Sequence, residues 1–476
     1  MEEVEASSTS RREFLRGIAG VGLAAGLQPL QNSGDSEPRK LPSIVYIHSH
    51  DSGRYLQPYG YAVPTPNLQR LAREGILFRR AFSVAPTCSP SRAALLTGQC
   101  AHKNGMLGLA HRGFALNDYR KHILYTLRRA GYKSVLAGLQ HIAAKPEMIG
   151  FDEMLPPATL APESQSAATV APAASAFVES NPHIPFFLDV GFQETHREYP
   201  NPTVGDNPNY ILPPVPIADT PETRMDMARH HASARIMDHG AGQVIDALER
   251  KGLLENTLVI STTDHGVAFP SMKCNLTDDG WGVSLIMRGP GEFKGGVVCD
   301  SLISHLDIFP TICDFIGIEK PSWLEGRSFL PILRGQRKEI NEEVFAEVNY
   351  HASYEPKRAV RTSRWKYIRH YDERKTPVLP NCDDGLSKDF WLDHGWRKRT
   401  VPQEELYDLV FDPTEHQNLA PDRAYRSVLD EMRQRLSRWM TVTDDPLLRG
   451  PVPAPHGAKI NNPDGVSPKE PTGTVA

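Results

Sequence analysis

The sequence predicts an α/β protein with a large, mainly parallel sheet sandwiched by helices, followed by a smaller C-terminal antiparallel sheet with a helix. Two observations support this prediction. Short apolar strands alternate with helical stretches through most of the chain, as expected of a parallel sheet covered on both faces. From about residue 345 apolar and polar residues alternate instead, which is typical of strands with one solvent-facing side.

The predicted elements of the large domain follow one another in a regular order. The run "IVYI" at 44–47 is the first buried strand, and "TPNLQRLAREG" is a helix with Leu68 and Leu71 on one face. The later strands are predicted at "ILFRRAFSV", "KSVLAGL", "PFFLDVGF" and "NTLVISTT", and the later helices at "YRKHILYTLRRAGY" and over 222–252. After residue 345, "RAVRTSRWKYIRHYD" and "EELYDLVFDPTEHQNLA" are predicted strands, with a final amphipathic helix near 424–440.

Length and composition set the domain organisation. A chain of 476 residues exceeds one small core, so we expect a large α/β domain over 41–344 and an α+β subdomain over 345–445. The proline-rich end, 446–476, is predicted to be disordered or loosely attached. A net charge of −4 indicates neither a nucleic-acid partner nor a membrane surface, and no later segment is long enough for a stable membrane span.

The amino-terminal segment resembles a twin-arginine export signal. Arg11 and Arg12 precede a modestly apolar run over 17–27, which is shorter than the roughly 20 residues of a membrane span. We therefore expect 1–40 to be an export signal with its linker, the twin-arginine machinery to be a partner, and the protein to be periplasmic or secreted. The alternative is a disordered basic tail.

Six cysteines show neither a CxxC pair nor zinc-ligand spacing. In an exported protein they could form one or two disulfides, and if Cys88 is functional an odd number remains. They are Cys88, Cys100, Cys274, Cys299, Cys313 and Cys382.

Polar side chains follow four predicted strands at the same end. Because ligands of parallel α/β sheets bind beyond the carboxyl ends of the strands, we expect these side chains to form one site rather than four capped turns. They are His48, His50, Asp51, His141, Glu194, His196, Asp264 and His265.

Two of these pairs, His50-Asp51 and Asp264-His265, are predicted ligands of one divalent cation. Carboxylates suit calcium, magnesium or manganese, and imidazoles shift the preference towards manganese or zinc. The alternative for each aspartate is a cap on the turn that follows its strand.

The stretch "TCSPSRAALLTG" places Cys88 just before a predicted helix, with Arg92 one turn further on. Three interpretations of Cys88 stay open on general chemistry: part of an anion site at a helix start, a thiolate ligand of the cation, or an inert buried cysteine.

The motif C-x-P-S-R followed by T-G, matched by "CSPSR" and "LLTG", resembles the sulfatase signature. The similarity continues through "PTPNLQRLAREGILF", "NTLVISTTDHG", "HLDIFPTICDFIGI" and "LEGRSFLPILRG", and "DHGVAFPSMK" is most similar to the heparan N-sulfatase (sulfamidase) branch. The resemblance implies an alkaline-phosphatase-like fold and a sulfatase that hydrolyses sulfate esters or sulfamates on a sulfated carbohydrate.

The resemblance also implies roles for individual residues. Cys88 would be oxidised to formylglycine by a formylglycine-generating enzyme, and one hydroxyl of its hydrate would attack sulfur. Arg92 would hold the hydrate, and Lys273 would bind the sulfate. Asp51, Asp264 and His265 match the metal ligands of the family, in which calcium is the usual metal. His141 and His196 match the histidines that contact the sulfate or the leaving group, and one of them would be the general acid.

The sequence departs from the family at two positions. His50 stands where the family has the first of two aspartates, which removes a negative charge and favours manganese or zinc over calcium. Leu139 stands where the family has a sulfate-binding lysine, so either another cation, such as Lys103 or Lys145, replaces it or the substrate differs. His102 and His111 are expected to be structural or to lie at the rim.

These departures leave two alternatives. One is a phosphate or phosphonate monoester hydrolase on the same fold, because the transferred group has the same tetrahedral shape. The other is a non-catalytic protein that binds sulfated glycans.

Overall fold

The computed structural model describes residues 40–157, 164–182 and 185–476, so the predicted export signal lies outside the described residues. In the described part, the strands are β1 (Ser43–His48), β2 (Ile76–Phe78), β3 (Ala81–Phe82), β4 (Lys133–Gly138), β5 (Glu153–Leu155), β6 (Phe186–Gly191), β7 (Thr257–Thr262), β8 (Gly282–Val283), β9 (Leu285–Arg288), β10 (Val297–Cys299), β11 (Ile303–Ser304), β12 (Glu343–Tyr350), β13 (Tyr354–Thr362), β14 (Trp365–His370), β15 (Glu404–Asp408), β16 (Lys459–Asn461) and β17 (Thr472–Thr474). The helices are α1 (Pro66–Glu74), α2 (Cys88–Thr97), α3 (Ala101–Asn104), α4 (Ile123–Arg129), α5 (Ala167–Glu179), α6 (Pro221–Arg250), α7 (Asp278–Trp281), α8 (Ile308–Ile316), α9 (Leu330–Leu333), α10 (Leu386–Asp393) and α11 (Arg426–Val442).

The large sheet has the strand order β10-β2-β9-β7-β1-β6-β4-β5. Strand β9 runs antiparallel to its neighbours β2 and β7, and the other neighbouring strands are parallel. The predicted fold class is therefore confirmed. The predicted strand at 76–84 instead divides at Arg79 and Arg80, so that β2 joins the large sheet and β3 joins a small three-stranded sheet.

Alternate residues of each central strand pack into two different hydrophobic cores, one on each face of the sheet. In β1, Ile44 packs in a core with residues of α2, α4 and α8, whereas Val45 packs in a core with α1, α5 and α6. Both residues are fully buried. A strand covered on both faces reads as a continuous apolar run, which is why "IVYI" could be recognised from the sequence.

The smaller sheet has the order β12-β13-β14-β15, and all its pairings are antiparallel. One face of this sheet packs against α11 through Val360, Tyr367 and Leu436. The other face packs against the large domain, where Val348 and Ile368 share a core with Trp281. The second core holds the small sheet beside the carboxyl edge of the large one, so loops from both can reach one site.

The prediction of a disordered tail over 446–476 was wrong. The structure places β16 and β17 in an antiparallel hairpin, and Val452, Ala458 and Asn461 are at most 2% exposed. Ala458 and Ile460 pack on the core that contains Phe114 and Tyr350. Composition alone misled the prediction because the few apolar residues of the tail are buried against partners far away in the sequence.

The six cysteines are buried free thiols, so the expected disulfides are absent from the residues that the structure describes. In that same part of the chain, no helix is both long and apolar enough to cross a bilayer.

Candidate active site

The carboxyl ends of β4, β6, β1 and β7, which are neighbours in the sheet, bring the predicted site residues together. Asp51 and His141 have φ values of 56° and 55°, a left-handed conformation that is uncommon outside glycine. These sharp turns directly after the strands direct both side chains back over the edge of the sheet. The expectation of one polar site, rather than four independent turns, agrees with this placement.

Ligand atoms of His50, Asp51, Cys88, Asp264 and His265 all lie within 4.8 Å of one another. His50 Nδ1 is 2.7 Å from Asp51 Oδ1 and 3.2 Å from Asp264 Oδ2, and His265 Nε2 is 3.3 Å from Asp51 Oδ1. These side chains are at most 2% exposed. The structure therefore places all four predicted metal ligands in one buried cluster.

Two buried cations balance the two carboxylates. Arg92 Nη2 donates to Asp264 Oδ2 at 2.9 Å, and Lys273 Nζ donates to Asp51 Oδ2 at 2.7 Å. Burial alone would raise the pKa of both carboxyl groups, yet Arg92 beside Asp264 and Lys273 beside Asp51 hold each pKa well below its usual range. Both aspartates are therefore ionised at neutral pH.

The donor set fits a divalent cation. Two ionised carboxylates supply the hard oxygen ligands, and burial lowers the pKa of His50 to about 3, so its imidazole is neutral and can donate a lone pair. The two imidazoles in the cluster favour manganese or zinc more than an all-oxygen site would.

Cys88 is the first residue of α2, and its Sγ atom lies 3.4 Å from His265 Nε2. Burial raises the pKa of this thiol well above its usual value, so unmodified Cys88 is not a standing thiolate. Arg92, one turn further along α2, donates to the backbone oxygen of Ser49 and contacts the ring of His48. His48 in turn bonds to Asp189 and is a buried support rather than a member of the cluster.

The remaining predicted residues border a cavity of about 630 Å³ beside the cluster. His196 Nε2 lies 3.4 Å from Lys273 Nζ, and its ring is 4.6 Å from that of His50. His141 stacks on His111, with its Nε2 3.1 Å from His111 Nδ1. His141 and His196, which are predicted to contact the leaving group or the sulfate, therefore both line this cavity.

The departure at Leu139 is also visible here, because Leu139 lines the cavity together with Lys145. Lys145 is exposed, and no ion pair involves it in the described part of the chain. Lys103 is exposed on α3 and does not line the cavity. Of the two lysines considered as replacements, only Lys145 faces the cavity.

Two residues considered in the sequence analysis, Glu194 after β6 and His102 in α3, have other tasks. Glu194 Oε2 accepts from the backbone N–H of Ala167 at 2.8 Å, so Glu194 caps the start of α5. His102 bonds to Glu347 in a separate buried cluster.

Sequence reasoning missed two residues that the smaller domain supplies. Asp383 Oδ2 accepts from Lys273 Nζ at 2.7 Å, and His351 Nε2 lies 3.9 Å from Cys88 Sγ. Neither lies in a recognisable motif: Asp383 stands in a long loop, and His351 directly follows β12. Only their proximity to Lys273 and Cys88 in space reveals them.

Comparisons with known proteins agree with this geometry. Residues 42–318 match the family model of the sulfatases, and residues 272–382 match that of the N-sulphoglucosamine sulphohydrolase C-terminal domain. The chain is 31% identical to N-sulphoglucosamine sulphohydrolase from Homo sapiens, with 82% of this chain and 88% of that protein covered.

Solved structures of lower identity share the fold. One, described in complex with its substrate D-glucosamine-2-N,6-O-disulfate, has a TM-score of 0.67 at 19% identity and covers 85% of this chain and 99% of that one. A phosphonate monoester hydrolase from Silicibacter pomeroyi has a TM-score of 0.62 at 20% identity, with 84% and 96% covered.

The fold is of the alkaline-phosphatase-like class, and the cluster at the carboxyl edge of its sheet has the donors to hold a divalent cation. Within that class, the chain belongs to the sulfatase family, and it is a sulfuric ester hydrolase. The expected resemblance is thus confirmed, and it favours the sulfatase over the phosphoester hydrolase and over the non-catalytic binding protein.

Proposed function

We propose that this sulfatase removes sulfate from a sulfated amino sugar or a related glycan, as a sulfamate or a sulfate ester, with Cys88 as its modified nucleophile. The observation that carries the proposal is the position of Cys88, whose Sγ atom lies 3.4 Å from His265 inside the candidate metal cluster. The names of the human relative and of the substrate-bound structural neighbour support this substrate class.

Two groups would complete the site. His50, Asp51, Asp264 and His265 would hold a divalent cation, which would supply positive charge next to the sulfuryl oxygens. Cys88 would be converted to formylglycine by a formylglycine-generating enzyme, and its hydrate would supply the nucleophilic hydroxyl. Calcium is the metal that the family implies, and the two imidazoles make manganese or zinc the alternatives.

The remaining residues of the chain bind and orient the sulfate. Lys273, fixed between Asp51 and Asp383, presents its ammonium beside His196 at the edge of the cavity. Cationic and N–H donors at this position stabilise the negative charge that the equatorial oxygens gain in the transition state. Lys145, which lines the same cavity as Leu139, is the proposed second cation in place of the family lysine.

His196 is the proposed general acid. Its Nε2 faces the cavity edge, where the leaving oxygen or nitrogen of the sugar would lie, and its Nδ1 contacts the backbone oxygen of Arg197 at 2.5 Å. That second contact fixes the ring and directs Nε2 towards the substrate. His141, held by His111, is positioned to bind a sulfate oxygen or the sugar.

Peptide mass spectrometry of the segment containing Cys88, from protein made together with a formylglycine-generating enzyme, tests the proposal. We expect the mass of an aldehyde or its hydrate at residue 88, and turnover of N-sulfated or O-sulfated glucosamine by the same preparation. The Cys88→Ala variant is the matched control. An intact thiol, or faster turnover of phosphonate esters than of sulfated sugars, would contradict the proposal.

We also propose that the protein is exported through the twin-arginine pathway and works in the periplasm or outside the cell. Arg11 and Arg12, followed by the apolar run at 17–27, support this. Changing both arginines to lysine should retain the protein in the cytoplasm, and unchanged export of the variant would contradict the assignment.

A further inference from the structure

We propose that Asn461, in the carboxy-terminal hairpin, is a positioning residue of the active site. The inference is that Asn461 joins the loop that carries His111 to the loop that carries His351, and so fixes the approach of both histidines to the reacting group. The inference rests on the proposed function in one respect, which is that the two histidines border the reacting group of a sulfatase. The contacts of Asn461 themselves are independent of any activity.

All four polar groups of Asn461 are bonded, and the residue is 1% exposed. Its Oδ1 accepts from Arg112 Nη1 at 2.6 Å, and its backbone N–H donates to the oxygen of Ala352 at 2.9 Å. Its backbone oxygen accepts from Ser353 Oγ at 3.0 Å, and its Nδ2 donates to the oxygen of Glu470 at 2.8 Å. The side chain of Asn461 therefore holds the Arg112 loop and closes its own hairpin, while its backbone holds the loop at Ala352 and Ser353.

Each loop carries a histidine next to the residue that Asn461 holds. His111 precedes Arg112, and its Nδ1 lies 3.1 Å from His141 Nε2. His351 precedes Ala352, and its Nε2 lies 3.9 Å from Cys88 Sγ. In the part of the chain that the structure describes, the Nδ1 atoms of His141 and His351 are buried and have no hydrogen-bond partner. These rings are therefore held through their loops rather than through bonds to their own second nitrogen.

The same tail reaches the opposite side of the site. Ser467 Oγ donates to Asp384 Oδ2 at 2.5 Å, and Lys469 Nζ lies 2.6 Å from Glu198 Oε1. Asp384 is the neighbour of Asp383, the partner of Lys273, and Glu198 is two residues from His196. The tail over 456–475 thus contacts residues near the site at several positions. Of these positions, the buried Asn461 makes the most hydrogen bonds named above.

Asn461 exerts its effect through distance and orientation. A displacement of about 1 Å at a catalytic group can reduce a rate by about a hundredfold, so a loosened loop should reduce kcat more than it raises KM. A purely structural role would instead lower the melting temperature and leave the kinetics of the folded fraction unchanged.

The experiment compares Asn461→Ala, Asn461→Asp and Thr472→Ala in the full-length chain. Thr472 pairs with Asn461 across the hairpin and is exposed, so it is the matched control. We measure hydrogen exchange of peptides covering 108–113 and 350–354, together with kcat and KM. For Asn461→Ala we expect faster exchange in 108–113, because the bond to Arg112 is lost, and a smaller change in 350–354, which the backbone of residue 461 still holds. We also expect a fall of about tenfold or more in kcat, with KM changed by less than about threefold.

The Asp variant keeps an acceptor for Arg112 and should restore most of the protection in 108–113, whereas Thr472→Ala should behave as the wild type. If Asn461→Ala does not fold, Arg112→Gln removes the same bond from the other side and should loosen 108–113. Unchanged exchange in 108–113 for Asn461→Ala and Arg112→Gln would overturn the inference. Hydrogen exchange does not depend on turnover, so absence of sulfatase activity in the wild type would contradict the proposed function without affecting this result.

Discussion

Two buried clusters in this protein combine a cysteine, a histidine and a carboxylate, and their cysteines, Cys88 and Cys100, are only twelve positions apart in the sequence. The first, here the Cys88 cluster, contains Cys88, His265 and Asp51. The second, the Cys100 cluster, contains Cys100, His102 and Glu347. Both have ligand atoms within 4.8 Å of one another, so donor type and spacing alone do not distinguish them.

The Cys100 cluster is closed by its own bonds. His102 Nδ1 bonds to Glu347 Oε1 at 2.9 Å, and its Nε2 lies 3.4 Å from Cys100 Sγ. Arg358 balances Glu347 and also forms a buried pair with Asp445. The rings of His102 and Trp439 pack in a T-shaped arrangement, and these residues do not line the cavity beside the Cys88 cluster. Such a network stabilises the fold, because its polar atoms are bonded to one another and do not point towards a ligand.

The Cys88 cluster differs because it opens onto a cavity and keeps unused polar groups. His50 and His196 line that cavity, and Arg92 Nε and His141 Nδ1 have no bonding partner within the described residues. A cluster whose polar atoms are buried, charged and incompletely bonded is costly unless a ligand completes it. The contrast indicates which of the two clusters is the reactive one, and the following variants test it.

The largest expected effect comes from the two cysteines themselves. Cys88→Ala should reduce turnover of sulfated substrates by roughly a thousandfold or more, because it removes the nucleophile, and should leave the melting temperature close to that of the wild type. Cys100→Ala should retain activity and lower the free energy of unfolding by about 1–2 kcal/mol, because it leaves a small cavity. Steady-state kinetics and thermal melts check both. Near-normal activity of Cys88→Ala would refute the assignment of the clusters.

Restoring the missing carboxylate should change metal preference. His50→Asp adds a negative charge beside Asp51 and Asp264 and should tighten calcium binding by about tenfold, or about 1.4 kcal/mol. Isothermal titration with calcium and manganese measures the change. His102→Gln, in the Cys100 cluster, serves as the control and should leave both titrations unchanged. An unchanged calcium titration of His50→Asp would count against His50 as a ligand.

A smaller effect is expected at the wall of the cavity. Lys145→Ala should raise the KM for a sulfated sugar by roughly fivefold, because an exposed charge contributes about 1 kcal/mol to binding an anion. Lys103→Ala removes a lysine of the same kind outside the cavity and should have no effect. Equal KM values for the two variants would show that Lys145 does not replace the family lysine.

The smallest effect is a pH dependence of stability in the Cys100 cluster. Burial acts to lower the pKa of His102, but the ion pair with Glu347 outweighs it and raises that pKa above the usual value. A group with a raised pKa stabilises the fold when protonated, so this contribution is complete below about pH 6.5 and is lost as the pH rises through the folded pKa. Between pH 6 and pH 9, the wild type should therefore lose more thermal stability than His102→Gln. Parallel melting curves for the two proteins would contradict the charged pair.

Much of the fold could be predicted from local patterns. The apolar runs of β1, β6 and β7 and the cap-to-glycine pattern of α1 are properties of short segments, because burial of a central strand on both faces demands apolar residues along its whole length. Eight of the nine predicted site residues could be located in the same way, since six follow strand ends and Cys88 and Arg92 lie on the helix that begins at Cys88. The ninth, Lys273, was named only through the resemblance to the family. The tail prediction was wrong because composition does not report on distant partners.

By itself, the sequence determined the order of the elements, the sulfatase signature around Cys88 and the set of residues at the carboxyl ends of the strands. The tertiary structure alone decided that the Cys100 cluster is closed, that Lys145 and not Lys103 faces the cavity, and that His351, Asp383 and Asn461 join the site. The physical reason is the range of the contacts. Periodicity and capping act over a few residues, whereas the bond between Arg112 and Asn461 joins positions 349 apart, and only a packed fold can bring them together.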